Sequence, residues 1–219
     1  MSEFIIHSIP GSPFGRAALV ALEEKGAQYR LIPVAPGSQR GPEHLSRHPF
    51  GRVPALEHGH FNLYETQAIL RYIDRVCPAP ALTPKQVEAA ARMDQLMNIC
   101  DWYLFQGVVN VIAFQRIVRP RIMGIAPDEA AIAAAMPKAH VVIDELATQL
   151  GAKRFFTGDA LSLADVLLAP QLDFLRATPE WESLASRHAN LSQWLDAMNA
   201  RASMTRTTWE CVSAMARAA

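Results

Sequence analysis

The sequence predicts a small α/β domain followed by a larger domain made only of helices. Three observations lead to this prediction. Strand and helix patterns alternate up to about residue 77, three prolines then fall within residues 78–84, and helical patterns alone follow them. Proline cannot continue a helix, which indicates a linker at residues 78–84. We therefore expect one domain at residues 1–77 and a second at residues 85–219.

The first domain is predicted to run β-α-β, a connecting segment, and then β-β-α. An apolar strand at residues 4–8 precedes a helix at residues 13–25, and Gly26 stands where a helix C-terminus favours glycine. The other predicted elements are a strand at residues 29–34, a short helix at residues 42–47, a hairpin of residues 53–57 and 60–64 joined at His58-Gly59, and a helix through Ile69, Tyr72, Ile73 and Val76.

The second domain shows no convincing strand pattern. Its predicted helices are residues 85–119, bent around Gly107 and stopped by Pro120; residues 128–150, interrupted at Pro137 and ended by Gly151; residues 163 to about 176; and residues 191–200.

Charge and composition exclude several classes of function. Lys plus Arg and Asp plus Glu number 21 each, so no positive excess indicates a nucleic acid or an anionic membrane as partner. No apolar run approaches the roughly 18 residues of a membrane span, and the first residues lack the pattern of a signal peptide. The three cysteines are far apart, and His58 and His60 have no thiol nearby, which predicts neither a disulfide framework nor a metal site. We expect a cytoplasmic protein.

Ser12 and Pro13 stand directly before the first predicted helix. Serine favours the N-cap and proline the first helical position, so Ser12 is predicted to begin this helix. One interpretation is that Ser12 only caps the helix. The other is that its hydroxyl and the helix dipole hold an anion. If the anion is a thiolate, its pKa would be lowered by roughly one to three units, which would ionise it at neutral pH without a general base.

Val53-Pro54 lies at the start of the predicted hairpin. Proline cannot donate a hydrogen bond to the sheet there. A cis Val53–Pro54 bond would leave the N–H and C=O of Val53 free to pair with an extended peptide ligand, although only about 5–6% of X-Pro bonds in folded proteins are cis.

Glu65 and Thr66 follow the hairpin at the start of the next predicted helix. Thr66 is predicted to cap that helix, whose free N–H groups suit a carboxylate, while Glu65 suits an ammonium group. The pair would fit an amino-acid zwitterion. An ordinary cap with a favourable acidic neighbour is the alternative.

These segments occur in the order and spacing of the cytosolic glutathione transferase family, which the chain resembles over nearly its whole length. The strongest stretch runs from Pro42-Glu43-His44-Leu45 through His48-Pro49-Phe50-Gly51 and Val53-Pro54-Ala55-Leu56 to Glu65-Thr66-Gln67-Ala68-Ile69. The resemblance, to a serine-type, phi- or theta-like bacterial member, implies a thioredoxin-like N-terminal domain, an all-α C-terminal domain and a homodimer. It implies no cofactor, with glutathione as co-substrate and a small hydrophobic electrophile as its partner in the reaction.

The resemblance also implies roles for particular residues. Ser12, four residues before Arg16, matches the catalytic serine that contacts the glutathione thiol. The implied glutathione-binding residues are Phe14, Gln39, Arg40, Arg52, Val53, Pro54, Glu65 and Thr66. Val53 would hold the cysteinyl part ahead of a cis Pro54, Glu65 and Thr66 the γ-glutamyl end, and Arg40 the glycyl carboxylate. Gln39 departs from the family pattern at its position, and Arg52 replaces a common glutamine.

The electrophile pocket is implied to lie between the start of the first helix and the long helix after the linker. Tyr103, Asn110 and Phe114 are its candidates, together with Phe14, although such side chains equally pack a core or a dimer interface. Ser162-Leu163-Ala164-Asp165 matches the family's buried capping motif, for which we expect a role in folding.

Two other functions share the same features, and a third differs at the position of Ser12. A glutathione-dependent isomerase would activate the thiol identically, and a non-catalytic protein would only bind glutathione. A glutathione-dependent reductase would carry a cysteine in place of Ser12, whereas Cys77, Cys100 and Cys211 all lie far along the sequence from that position.

Overall fold

A four-stranded sheet organises the N-terminal part of the chain in the computed structural model, which describes residues 3–218. The strands are β1 (Phe4–Ser8), β2 (Tyr29–Pro33), β3 (Ala55–His58) and β4 (Phe61–Tyr64), in the spatial order β2-β1-β3-β4. β2 is parallel to β1, whereas β3 is antiparallel to both β1 and β4. The predicted hairpin is confirmed, with its turn at residues 59–60.

Three α-helices accompany this sheet, as the sequence predicts. They are α1 (Pro13–Glu24), α2 (Pro42–Leu45) and α3 (Thr66–Val76), and a short 3-10 helix covers Ser38–Arg40. α1 packs against α3, and both bury an apolar face. Small alanines in α1 allow this close approach, and Gly26 ends the α1 region with φ +59.

A buried ion pair ties the end of α1 to α3 and to the segment that follows. Lys25 Nζ lies 2.5 Å from Asp74 Oδ1 and also donates to the carbonyl of Pro80, which follows a cis peptide bond. Asp74 further accepts from the Leu82 N–H at 2.9 Å and from Thr83 Oγ1 at 2.6 Å. Burial alone would raise the pKa of Asp74, but these hydrogen bonds outweigh it and hold the pKa below its usual value.

Helices alone make up the regular structure that follows within the described residues. They are α4 (Val87–Ile99), two π-helices (Cys100–Val109 and Phe114–Met123), α5 (Glu129–Leu150), α6 (Leu163–Arg176), α7 (Glu180–Ala185), α8 (Ala189–Asn199), α9 (Ala202–Thr205) and α10 (Trp209–Ala218). Contacts divide the chain into a first unit of Met1–Thr83 with Ala200–Ala219 and a second unit of Pro84–Asn199. The C-terminal residues thus group with the sheet, whereas the sequence division places them with the helical domain.

Two details of the long predicted helix are wrong. Its 64° bend lies between Val109 and Phe114, not at Gly107, which instead packs so closely on Lys138 that a Cβ would meet Lys138 Cδ at 2.4 Å. Pro120 does not stop the helix, because it lies inside the second π-helix, and the left-handed Gly124 (φ +66) ends it.

The other differences also arise from packing. α5 continues through Pro137, since Ala135 and Ala139 are buried on either side and compensate for the lost hydrogen bond. The sequence interpretation missed α7, α9 and α10. Within residues 3–218 no single helix has both the length and the apolar composition of a membrane span. The helical segments Val87–Val109 and Phe114–Met123 reach that length and composition only when they are taken together across their 64° bend.

The predicted capping motif of α6 is confirmed and fully buried. Asp165 Oδ2 accepts from the N–H of Ser162 at 3.0 Å and from its Oγ at 2.6 Å. Asp165 Oδ1 accepts from the Phe156 N–H at 3.0 Å and from Trp194 Nε1 at 3.1 Å. One carboxylate therefore joins α6, the preceding loop and α8.

Candidate active site

The predicted glutathione-binding segments around Ser12, Val53 and Glu65 connect to strands β1, β3 and β4 at one edge of the sheet. His7 of β1 pairs with Ala55 of β3, and Ala55 pairs with Tyr64 of β4. The chain after β1, the chain before β3 and the chain after β4 therefore start from neighbouring positions on adjacent strands. Because β3 runs antiparallel to β1 and β4, its N-terminal end lies beside their C-terminal ends.

Ser12 is reached through a tight turn that follows β1. The N–H of Ser12 donates to the Ile9 carbonyl at 3.0 Å, and Gly11 between them has φ +91, the left-handed value that glycine adopts without strain. Ser12 then caps α1 as predicted, since its Oγ accepts from the Gly15 N–H at 3.2 Å.

The cap leaves the Ser12 hydroxyl able to donate. Within the described part of the chain this hydroxyl accepts the Gly15 hydrogen bond and donates none. The first turn of α1 carries no acidic residue, so no negative side chain of its own offsets the helix dipole there. Gly15 itself has no room for a Cβ, which would lie 1.9 Å from the buried Ser8 Oγ.

Val53 and Pro54 enter β3 through a cis peptide bond, which confirms that prediction. Pro54 is buried and Arg52 is exposed. The carbonyl of Arg52 accepts a hydrogen bond from Nε2 of the buried His44 at 2.7 Å. His44 thus holds the loop immediately before Val53, a role that sequence reasoning missed because the neighbouring Glu43, Ser46 and Arg47 give no sign that His44 is buried.

Glu65 and Thr66 join β4 to α3. Glu65 has φ +68 and is the one non-glycine residue with positive φ among residues 3–218, a strained conformation that clusters at functional sites. The prediction that Thr66 caps α3 is wrong: Thr66 is the first helical residue and Glu65 occupies the cap position, without a side-chain hydrogen bond. Glu65 has an extended ψ, so α3 begins at Thr66, one residue earlier than it would if Thr66 were the cap.

Gln39 and Arg40 lie against the loop that leads to Val53. The main-chain O of Gln39 and Cγ of Arg40 lie 3.1 and 3.2 Å from the position that a Cβ on Gly51 would occupy. Gly51 has φ +60 and so provides both the turn and the space. The side chain of Gln39 accepts from the Gly37 N–H at 2.8 Å, while that of Arg40 is exposed.

His48 connects the same loop to the end of β4. Its ring lies 4.9 Å from that of Tyr64, centroid to centroid, and 6.2 Å from that of Phe50. Burial lowers the pKa of His48, against the opposing charge of Glu65. The 48–54 loop and Glu65 are therefore brought together at this edge of the sheet.

The remaining predicted residues fall in two places. Phe14 is half-buried in the first turn of α1. Tyr103 and Asn110 are exposed in the second unit, and Phe114 there is half-buried. Among the described residues no hydrogen bond or ring contact joins Tyr103, Asn110 and Phe114, and their place in an electrophile pocket stays a prediction.

The cysteines and the metal-binding side chains offer no second reactive centre in the described ranges. Cys100 is fully buried, and burial raises the pKa of its thiol, which disfavours the nucleophilic thiolate. Cys77 and Cys211 are half-buried and unbonded to each other. Within residues 3–218 no group of three His, Cys, Asp or Glu side chains is placed to hold a metal ion.

Comparison with known proteins gives matches along most of the chain. Residues 2–75 match the glutathione S-transferase N-terminal domain family, and residues 129–197 match the glutathione S-transferase C-terminal domain family. The chain is 30% identical to the probable glutathione S-transferase GSTF2 of Oryza sativa subsp. japonica, over 84% of this chain and 86% of that protein. It is 32% identical to glutathione S-transferase 4 of Zea mays, over 87% of this chain and 85% of that protein.

Solved structures of glutathione transferases have the same fold as this chain. Glutathione S-transferase I from maize, in complex with an atrazine glutathione conjugate, superposes with a TM-score of 0.83 at 28% identity over 99% of each chain. Glutathione transferase F2 from Populus trichocarpa gives a TM-score of 0.83 at 26% identity, over 99% of this chain and all of that one.

Proposed function

The chain belongs to the glutathione S-transferase family and transfers glutathione to electrophiles, and we propose that Ser12 stabilises the glutathione thiolate at the start of α1. The observation that carries this proposal is the Ser12 hydroxyl, which accepts from the Gly15 N–H and keeps its own proton to donate. A sulfur beside it would also meet the positive end of the α1 dipole.

The magnitudes suffice for this mechanism. A hydrogen bond to a charged sulfur contributes roughly 1.5–3 kcal/mol. The helix dipole adds about 0.3–1 kcal/mol. Since one pKa unit corresponds to about 1.36 kcal/mol, the two together lower the thiol pKa by roughly one to three units. A thiol with an ordinary pKa of about 8.5 is then largely ionised at neutral pH.

The rest of the tripeptide follows the sheet edge in this proposal. The main chain of Val53 pairs with the cysteinyl residue as an added strand would. Glu65 meets the γ-glutamyl ammonium group, and the first N–H groups of α3, from Thr66 onward, meet its carboxylate. Exposed Arg40 and Arg52 supply positive charge for the glycyl carboxylate, with Gln39 shaping the loop and Pro54 and Phe14 lining the site.

The electrophile is proposed to be small and hydrophobic. Support comes from the maize enzyme whose structure contains an atrazine glutathione conjugate. Tyr103, Asn110 and Phe114 are proposed as pocket residues of this chain.

The finer assignments are proposals of the same kind. We place the glutathione-binding domain at residues 1–77, the linker at 78–84 and the helical domain at 85–219, in a serine-type, phi- or theta-like enzyme of the cytoplasm; its bacterial origin stays a prediction. A homodimer is supported by the exposure of the large apolar residues Phe50 and Trp102, which are 68% and 70% accessible. Light scattering tests it: a monomer's mass at micromolar concentration would exclude the dimer.

The deciding experiment measures conjugation of glutathione to a chlorinated nitrobenzene against pH, in the wild type and in Ser12→Ala. Without the hydroxyl the thiol pKa returns toward about 8.5, where only a few per cent of the thiol is ionised at neutral pH, so the rate there falls roughly ten- to thirtyfold. Raising the pH restores most of it. Equal rates in both proteins at every pH would remove Ser12 from the mechanism.

A matched control separates catalysis from helix capping. Asp128 caps α5 in the same way, with its Oδ1 accepting from the Ala131 N–H at 3.0 Å. Asp128→Ala loses a cap that contributes a similar amount to the free energy of unfolding. This variant is expected to keep the wild-type dependence of the conjugation rate on pH. Retention on immobilised glutathione without turnover of any electrophile would instead indicate a protein that only binds glutathione.

A further inference from the structure

The C-terminal segment, residues 200–218, packs along α1 within the first unit. At the end of α1, Arg201 Nε and Nη2 each donate to a carboxylate oxygen of Glu24 at 2.7 Å. Arg206 pairs with the neighbouring Glu23 at 3.2 Å. These contacts fix the beginning of the segment against the far end of the helix that starts after Ser12.

The segment then returns toward the start of α1. Arg16 Nη2 donates to the main-chain O of Met204 at 3.1 Å. Thr208 begins α10, since its Oγ1 accepts from the Cys211 N–H at 3.2 Å. Trp209, the first residue of α10, is therefore held at a defined position near the first turn of α1.

The indole ring of Trp209 lies on Gly11, the residue directly before Ser12. Its Cε2, Cδ2 and Cζ2 atoms lie 2.6–2.8 Å from the position that a Cβ on Gly11 would occupy. Because a Cα–Cβ bond is about 1.5 Å long, the ring is in van der Waals contact with the Gly11 main chain. No side chain larger than hydrogen fits between them.

We propose that Trp209 is a positioning residue for the thiolate site: its ring holds the turn that carries Ser12 and keeps water from that side of it. The proposal rests on the proposed role of Ser12. The turn itself has one internal hydrogen bond, from the Ser12 N–H to the Ile9 carbonyl, and a glycine at its third position. Glycine leaves the backbone free to move unless packing restrains it, and Trp209 supplies that packing.

The consequence is electrostatic. A hydroxyl donor that is fixed before the anion arrives stabilises it without reorganisation. Water beside the turn would raise the local dielectric and weaken both the hydrogen bond and the helix dipole. Without the indole ring, the thiolate of bound glutathione is therefore less stabilised.

The test follows the ionisation of bound glutathione by its thiolate ultraviolet absorbance as a function of pH. In Trp209→Ala we expect the pKa of the bound thiol to rise by about half a unit to one unit, and conjugation at neutral pH to fall roughly three- to tenfold. The rate recovers at high pH. Trp209→Phe, which keeps a smaller ring on the turn, is expected to fall between the alanine variant and the wild type.

Two comparisons keep the result interpretable. Trp181→Ala removes a half-buried tryptophan of the second unit and is expected to leave the thiol pKa at its wild-type value. If Trp209→Ala does not fold, Trp209→Phe decides: a raised thiol pKa supports the proposal and an unchanged one overturns it. If Ser12→Ala raises the thiol pKa but neither Trp209 variant does, only the positioning role fails. If none of the three raises it, the proposed role of Ser12 fails as well.

Discussion

Replacement of Asp165 by alanine should be among the most destabilising single changes in the second unit. The carboxylate is inaccessible to solvent and accepts four hydrogen bonds, from the N–H and Oγ of Ser162, the N–H of Phe156 and Nε1 of Trp194. The Ser162 hydroxyl can turn toward another acceptor. The two main-chain N–H groups and the indole N–H cannot, and they would remain buried without a partner.

The size of the effect follows from those stranded donors. Each buried donor left unpaired costs about 1–3 kcal/mol, so we expect Asp165→Ala to lower the free energy of unfolding by at least about 3 kcal/mol. Asp165→Asn keeps one oxygen and should lie between alanine and the wild type. Ser162→Ala removes only the hydroxyl and leaves the carboxylate in place, which costs about 0.5–2 kcal/mol.

Urea unfolding followed by far-ultraviolet circular dichroism measures this series. The expected order of destabilisation is Asp165→Ala, then Asp165→Asn, then Ser162→Ala. Asp159→Ala, at an exposed carboxylate of the same unit, should stay near the wild type. If Asp165→Ala and Ser162→Ala cost the same, the carboxylate acts only as a helix cap and the argument from stranded donors is wrong.

Two further predictions concern the first unit. Hydrogen bonds hold the pKa of Asp74 below its usual value, so its ionised carboxylate stabilises the folded state. This contribution to the free energy of unfolding is complete above the unfolded pKa of about 3.9 and is lost as the pH falls through the lower folded pKa. Urea unfolding across acidic pH should therefore show a steeper loss of stability in the wild type than in Asp74→Asn, and equal slopes would contradict this. Glu65→Gly relieves a positive φ, which should stabilise the fold by about 1 kcal/mol while raising KM for glutathione; an unchanged KM would place Glu65 outside the glutathione site.

Local patterns in the sequence predicted most of the first unit. Ser12-Pro13 and Gly26 mark the two ends of α1, and apolar runs mark the strands, because caps and alternation act within a few residues. The cap of α3 was placed on Thr66 because threonine favours that position, whereas the structure gives it to a strained Glu65. Strain of this kind is imposed by the surrounding fold, which a local pattern does not contain.

The second unit shows the same limit. Pro120 and Pro137 were expected to interrupt helices, yet both lie inside helical segments. The rule for proline describes an isolated helix, and burial on both sides of Pro137 overrides it. α10 was missed although Trp209, Val212 and Met215 recur every third residue, because such a short apolar spacing becomes informative only once its packing partner is known.

The candidate site illustrates why weak motifs became a specific prediction. A serine cap, an X-Pro pair and an acidic residue before a helix are each common, and each has an ordinary structural explanation. The register of β1, β3 and β4 gives them a shared location, since His7, Ala55 and Tyr64 are neighbours across the strands. We propose that the helix start at Ser12, the strand entry at Val53 and the acidic turn at Glu65 face one ligand, a zwitterionic peptide with a thiol. Their shared location, more than any single motif, supports this proposal. The same reasoning explains why the sequence predicts the electrophile pocket poorly. Its candidates Tyr103, Asn110 and Phe114 lie in helices of the second unit, where no strand register relates their positions.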